Sequence, residues 1–308
     1  MQCQKSLNVN EEYLCAIRTK SFADCFTKFQ LLVDEQPLPS QPTGRFHSEF
    51  SEVLLQPGRE AIASIFDSSS LFSKSTTLFK GLKSLLLDYF ETSAESSDFC
   101  SRLLETLAHL RSDCRSTAGI IDAAADGGGD LLSRAYLQNP FPNLNRQYVE
   151  HLRGRHSSVL RRLRSGRSQA AWRFKLARLL KRVSTVGSAV LGIPAGEPGR
   201  FDVRFMGRAA GQLDAAAKGA YILSRDFETM SRLAGRVGDE VEHGKAMIRL
   251  CLDRREDKVC LLALKEMRKD GFGLRRRVEE LEEHVYLCLV TINRARAMLA
   301  KEISMDVG

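Results

Sequence analysis

A seven-residue repeat of apolar positions fills the last hundred residues, and it limits what this chain can fold into more than any other feature. Counting alternately four and three from Ala209 gives Leu213, Ala216, Ala220, Leu223, Phe227, Met230, Ala234, Val237, Val241, Gly244, Ile248 and Cys251. A second series gives Met267, Gly271, Leu274, Val278, Leu281, Val285, Cys288, Ile292, Ala295 and Leu299. A period of 3.5 sustained this long is the signature of helices wound against one another. Each helix would run on the order of 50–60 Å at ~1.5 Å per residue. The stretch LDRREDKVCLLA between the two series is short enough to return the second helix antiparallel to the first. Small members (Ala209, Ala216, Ala220, Ala234, Gly244) let a neighbouring helix approach closely and leave room for further helices of the same chain. Parallel self-association through the same seam, giving a homo-oligomer, is the alternative to an intramolecular hairpin, and the hairpin is the favoured expectation.

The rest of the chain also reads as helix. Leu14, Ile17, Phe22, Phe26 and Phe29 recur at helical spacing within residues 10–35, and the proline-rich PLPSQP follows at 37–42. A shorter helix fits residues 48–66, bent or interrupted at Pro57-Gly58. From about Ser75 a long run places Phe79, Leu82, Leu86, Tyr89, Cys100, Leu103, Leu107, Leu110 and Cys114 on one face. It stops at Asp126-Gly127-Gly128-Gly129-Asp130, and QNPFPNL at 138–144 is a further break. Helix resumes near Asn145 and continues to about Val190, before the Gly- and Pro-rich loop 192–199. Few aromatic residues and few prolines agree with a helical chain. The expected fold class is therefore all-α, a helical bundle with a long antiparallel coiled-coil hairpin at the C-terminus. The expected organisation is an N-terminal helix (1–36), a helical segment (45–126), a Gly/Pro linker (127–143), a basic helix with a weakly hydrophobic stretch (144–200) and the coiled-coil hairpin (209–303).

Charge is concentrated rather than spread. The chain carries a net +8, yet residues 151–182 contain eleven Arg and Lys with no Asp or Glu, leaving the remainder at −3. Any electrostatic function therefore belongs to that segment. At 100° per residue, Trp172, Leu176, Leu179, Leu180 and Val183 share one third of the helical wheel. Arg173, Lys175, Arg178, Lys181 and Arg182 cover the rest, and Phe174 alone breaks the division. A basic amphipathic helix carrying Trp and Leu is built to lie on an anionic membrane surface. The expected contact residues are Arg161, Arg162, Arg164, Arg167, Trp172, Arg173, Lys175, Leu176, Arg178, Lys181 and Arg182. Two other readings stay open: the apolar stripe packs into the bundle while the arginines face solvent, or a protein partner takes the basic helix. Nucleic acid is a third, weaker partner, because repeated stacking aromatics and a recognisable motif are both lacking.

Sequence chemistry for a reaction is absent. The Glu240-Val241-Glu242-His243 segment has ExxH spacing, but a carboxylate-bridged metal bundle needs a second such pair. The position three before His284 is Leu281, and the heptad frame turns His243 to solvent. The triple glycine at 127–129 has no following GxxxxGK motif and reads as linker. The eight cysteines form no CxxC pair, and the N-terminal residues show no signal-peptide pattern, so reduced thiols buried as small hydrophobes are expected. No metal, no cofactor and no enzymatic activity are expected. Val183–Gly196 is uncharged but too short and too weakly apolar to cross a bilayer.

Several blocks carry a resemblance: NVNEEYLCAIRTKSFADCFTKFQLLV and SEVLLQPGREAIASI in the first half, then LDAAAKGAYILSRDFETMSRLAGRVGDEVEHGKAMIRLCLDRRED and ELEEHVYLCLVTINRARAMLAKEI near the end. Together they resemble a plant-specific, numbered family of uncharacterised proteins whose members include integrin-like, membrane-associated helical proteins. In that family a basic run like this one is followed by a strongly hydrophobic membrane-spanning segment and then by the long terminal coil. Here the weak stretch Val183–Gly196 takes the place of the hydrophobic segment. The resemblance implies membrane association on the cytoplasmic side, with a cytoplasmic protein as the fallback. The expected function is a non-enzymatic membrane-associated or scaffolding protein. The alternatives are a soluble helical adaptor for protein partners and, third, nucleic-acid binding through the basic segment.

Overall fold

The computed structural model describes residues 55–68, 77–125, 146–191, 203–253 and 258–304, with the single helical positions Ala23 and Thr27. The described residues form five helices and no strand: α1 (Arg59–Ser68), α2 (Thr77–Ala125), α3 (Arg146–Leu191), α4 (Val203–Asp253) and α5 (Lys258–Ser304). The all-α bundle expected from the sequence is the fold of the chain. The expected first helix at 10–35 and the Gly/Pro linker at 127–143 lie outside the described residues, apart from Ala23 and Thr27.

Local chemistry sets the helix ends. Pro57 and Gly58 precede α1 directly, and the Gly58 carbonyl accepts from the Ile62 amide at 3.2 Å, closing its first turn. Of the bend or interruption expected at Pro57-Gly58, the structure has the interruption, with α1 starting at Arg59 and positions 48–54 lying outside the described residues. Only positions 254–257 separate α4 from α5, where the sequence reading allotted a dozen. Lys258–Ala263 lacks both Gly and Pro, so nothing stops it joining α5.

Packing divides the chain into two units, and each of α2, α3, α4 and α5 contributes to both. One unit contains α1, α2 to Ser96, α3 from Arg153, α4 to Ser224 and α5 from Thr291. Its core joins Ile62 and Phe66 of α1, Leu82, Leu86, Tyr89 and Phe90 of α2, Val159 and Leu163 of α3, Ala209–Ala220 of α4, and Leu299, Ala300 and Ile303 of α5. Gly219 faces Ala295, and Gly211 faces Glu302, so α4 and α5 run antiparallel here. Of the small residues of the repeat, Ala209, Ala216 and Ala220 are buried in this core, whereas a Cβ at Gly244 would meet nothing within 4 Å. A Cβ at position 219 would overlap the Tyr89 hydroxyl of α2 and lie 3.1 Å from Cβ of Ala295.

Two buried polar clusters sit in this core. Arg296 of α5 is almost wholly buried, and its guanidinium donates to the carbonyls of Pro57 (2.7 and 3.2 Å) and Phe90 (2.7 Å) and to Ser93 Oγ (2.6 Å). It also stacks over the Phe90 ring at 5.1 Å. Burial lowers its pKa to about 10, still well above neutrality, so the charge is retained and held by carbonyl dipoles. Elsewhere in the core, Ser96 donates to the Thr92 carbonyl at 2.8 Å and meets His156 Nε2 at 2.7 Å. The hydroxyl proton is thus committed to Thr92, so Nε2 carries hydrogen and donates to Ser96 Oγ.

The other unit contains Ser97–Ala125 of α2, Arg146–Leu152 of α3, Arg225–Asp253 of α4 and Lys258–Val290 of α5. Phe227, Met230, Val237, Val241 and Ile248 of α4 are buried, as are Val278, Leu281, Val285 and Cys288 of α5, all members of the two repeats. Ion pairs Arg236–Glu280 (3.4 Å) and Arg277–Glu240 (3.0 Å) flank the seam and again show antiparallel helices. Phe99 of α2 packs on Tyr148 of α3 and Phe227 of α4. Arg111 of α2 reaches Glu282 of α5 at 2.9 Å, yet burial outweighs the arginine and holds that carboxyl above its usual range. Cys100 and Cys288 are buried free thiols, and Cys288 is pushed well above its ordinary pKa by its hydrogen bond to Cys100 and by burial.

Candidate interaction surface on the basic helix

The basic segment lies on α3, and the structure sorts its cations into two groups. On the core side, Val159 and Leu163 are buried, Ala170 packs against the same core, and Gly166 lies beside Leu85 and Leu213. These positions are four, three and four residues apart, so α3 enters the bundle with the same period that governs α4 and α5. Three further residues bring that series to position 173, an arginine whose side chain lies outside the described residues.

Arginines flanking this seam are taken up by carboxylates. Arg155 pairs with Glu95 and Glu91, and Arg162 pairs with Asp88 of α2. Arg167 reaches Asp214 of α4 at 2.7 Å. Lys218 also binds Asp214, and these cations hold its carboxyl below the usual range. Arg162 and Arg167 therefore sit where the sequence placed contact residues, but their charges are spent on bundle ion pairs.

The opposite face is different. Arg161, Arg164, Trp172 and Lys175 are exposed, and none of the three cations has a carboxylate partner among the described residues. Arg164 lies over the ring of Tyr221 of α4 at 5.9 Å. Trp172 is 63% exposed and Tyr221 48%, large values for aromatic side chains. Nine residues separate Leu163 from Trp172, a half-turn at 100° per residue, so the tryptophan points away from the core. The sequence reading grouped Trp172 with Leu176, Leu179, Leu180 and Val183; in the structure Trp172 lies on the exposed face that also carries Arg161, Arg164 and Lys175. What it could not see was that the bundle uses another apolar series. The side chains of Arg173, Leu176, Arg178, Lys181 and Arg182 lie outside the described residues.

Two features were missed from sequence. Tyr221 carries no signal of its own, since a tyrosine beside a heptad position is ordinary in a bundle. Arg296 adjoins the repeat member Ala295, and only its neighbours in space reveal that it is internal. Among the described residues, no three His, Cys, Asp or Glu side chains converge as metal ligands, and His243 is exposed. No described helix is long and apolar enough to cross a membrane.

Comparison with known proteins gives the chain's relatives. A UPF0496 protein of Arabidopsis thaliana is 27% identical over 97% of this chain and 90% of its own length. A putative UPF0496 protein 2 of Oryza sativa subsp. japonica is 31% identical over 72% of this chain and 65% of its own length, just under two thirds of the rice protein. A second Arabidopsis UPF0496 protein is 34% identical over 93 residues, 30% of this chain and 26% of that protein. The first Arabidopsis alignment runs over 364 positions, more than the 308 residues of this chain, so that relative holds residues within the matched span that this chain lacks. No family model and no solved structure matches the chain.

Proposed function

This chain is a homologue of the UPF0496 proteins of plants, and on that footing we propose that it is a non-enzymatic helical protein that associates with membranes as a scaffold through its basic helix. The observation that carries this reading is the set of exposed cations on α3 beside an exposed tryptophan, while neighbouring arginines of the same helix are already neutralised. Cations free of carboxylates are attracted to anionic headgroups by about 1 kcal/mol each near the surface. A bundle held by long seams supplies a firm support for such a surface, and that is the physical content of a scaffold.

The second reading is a soluble adaptor for protein partners, and Val159 and Leu163 favour it because they commit α3 to the bundle rather than to a bilayer. Sedimentation of the full chain with lipid vesicles separates the two. The protein is expected to pellet with vesicles of phosphatidylcholine and phosphatidylserine and to stay in solution with phosphatidylcholine alone. Protein left in the supernatant with both would overturn membrane association and leave the adaptor reading.

A further inference from the structure

We infer that one face of α3, formed by Arg161, Arg164, Trp172 and Lys175 with Tyr221 of α4 beside it, is the docking surface for an anionic lipid bilayer, with α3 lying along the headgroups. The inference rests on the proposed membrane association and adds which face is used and which arginines take no part. Three observations meet on this face. Its cations have no carboxylate partners among the described residues, whereas Arg155, Arg162 and Arg167 are each paired within the bundle. It carries two exposed aromatic side chains, Trp172 and Tyr221, of the kinds that settle at the boundary between headgroups and acyl chains. Finally, α3 continues as helix to Leu191. Its register therefore sets positions 176, 179 and 183 on the side of Trp172, and leucine or valine occupies all three.

Position along the helix matters as much as charge. The apolar series at 159, 163, 166 and 170 faces the bundle, and positions 172, 176, 179 and 183 fall on the other side of the helix. A helix that only packed in a bundle would keep its apolar residues on one side throughout. A helix bridging a protein core and a lipid surface needs the second series, with cations placed to meet headgroups. Nucleic acid would use the same charges, but the uncharged run of leucine and valine positions offers phosphate nothing, so lipid is the better match.

Trp172 is the single tryptophan of the chain, so its fluorescence reports on this face alone. On addition of phosphatidylcholine–phosphatidylserine vesicles to the full chain, its emission is expected to shift to the blue and to be quenched by brominated acyl chains. The double variant Arg161→Gln, Arg164→Gln should lower vesicle affinity about 30-fold, from a factor of roughly five per cation. Because both side chains are exposed, the variant keeps its fold. The charge-preserving pair Asp88→Asn, Arg162→Gln should leave affinity unchanged. Pelleting with vesicles while Trp172 emission stays unshifted would overturn this surface but leave membrane association standing. An equal loss of affinity in both double variants would also overturn it. A shift produced by single-stranded oligonucleotides and not by vesicles would assign the face to nucleic acid. No binding to vesicles at all would remove both readings.

Discussion

His156 carries the most pH-sensitive contact of the core. Burial, reinforced by the positive charge of Arg155, lowers its pKa from 6.5 to about 4, and its ring donates to Ser96 in the neutral form. In the unfolded chain the same ring takes up a proton near pH 6.5, so between pH 6.5 and 4 the unfolded state holds more protons than the folded one. Stability from this residue is therefore full above pH 6.5 and is lost as pH falls through that window. The loss from pH 7 to pH 5 amounts to about 2 kcal/mol. His284, buried and bonded to the Asp226 carbonyl at 3.1 Å, is shifted in the same direction. Denaturant unfolding at pH 7 and pH 5 checks the assignment: in His156→Leu the decrease should be smaller than in the parent by about 2 kcal/mol. An equal decrease in both proteins would show that His156 titrates normally. None of this was legible beforehand, because a histidine in a basic stretch looks like a surface residue until Ser96 is found opposite it.

At the level of the helix, small side chains decide how closely neighbours approach. Gly219 of α4 leaves room for the Tyr89 hydroxyl of α2, which has no hydrogen-bond partner among the described residues. Gly219→Ala should therefore destabilise the protein by about 1–3 kcal/mol, although alanine favours helix by ~1 kcal/mol. Tyr89→Phe removes the oxygen in the way, so adding it to Gly219→Ala should recover most of the loss in a thermal or denaturant melt. A Gly219→Ala protein as stable as the parent would show that the two helices are further apart than described.

Element by element, α2 and α3 show why some of the fold was readable and some was not. The apolar face expected for α2 is buried at Leu82, Leu86, Tyr89, Cys100, Leu103, Leu107 and Leu110. The gap between Tyr89 and Cys100 is filled by buried Thr92, Ser93, Ser96 and Ser97, which hydropathy counts as polar. Thr92, Ser93 and Ser96 turn their hydroxyls back onto carbonyls of their own helix, a local satisfaction that makes them acceptable in a core. In α3 the charge run was plain, but its division was not. Ion pairs with Asp88 and Asp214 depend on residues some 45–75 positions away, and no spacing rule within α3 announces them.

For the whole chain, the seven-residue repeat is the strongest signal and the organising fact. Of the thirteen α4 positions it names, twelve have described side chains and ten of these, Ala209 to Val241 without Ala234 and then Ile248, are buried, and so are Val278, Leu281, Val285, Cys288, Ile292 and Leu299 of α5. The repeat was legible because packing against a neighbour leaves a period in the sequence. The surface use of α3 was legible only as an excess of charge. Within each unit α4 and α5 pair antiparallel, as an intramolecular hairpin requires. The most direct test uses an equimolar mixture of unlabelled and nitrogen-15-labelled chains, treated with an amine cross-linker and read by mass spectrometry. The account predicts that Lys218 of α4 and Lys301 of α5 join within single chains, giving cross-linked peptides of uniform isotope content. Cross-linked peptides between these lysines with mixed labelled–unlabelled content, or Lys218 joined chiefly to Lys218 of another chain, would contradict it.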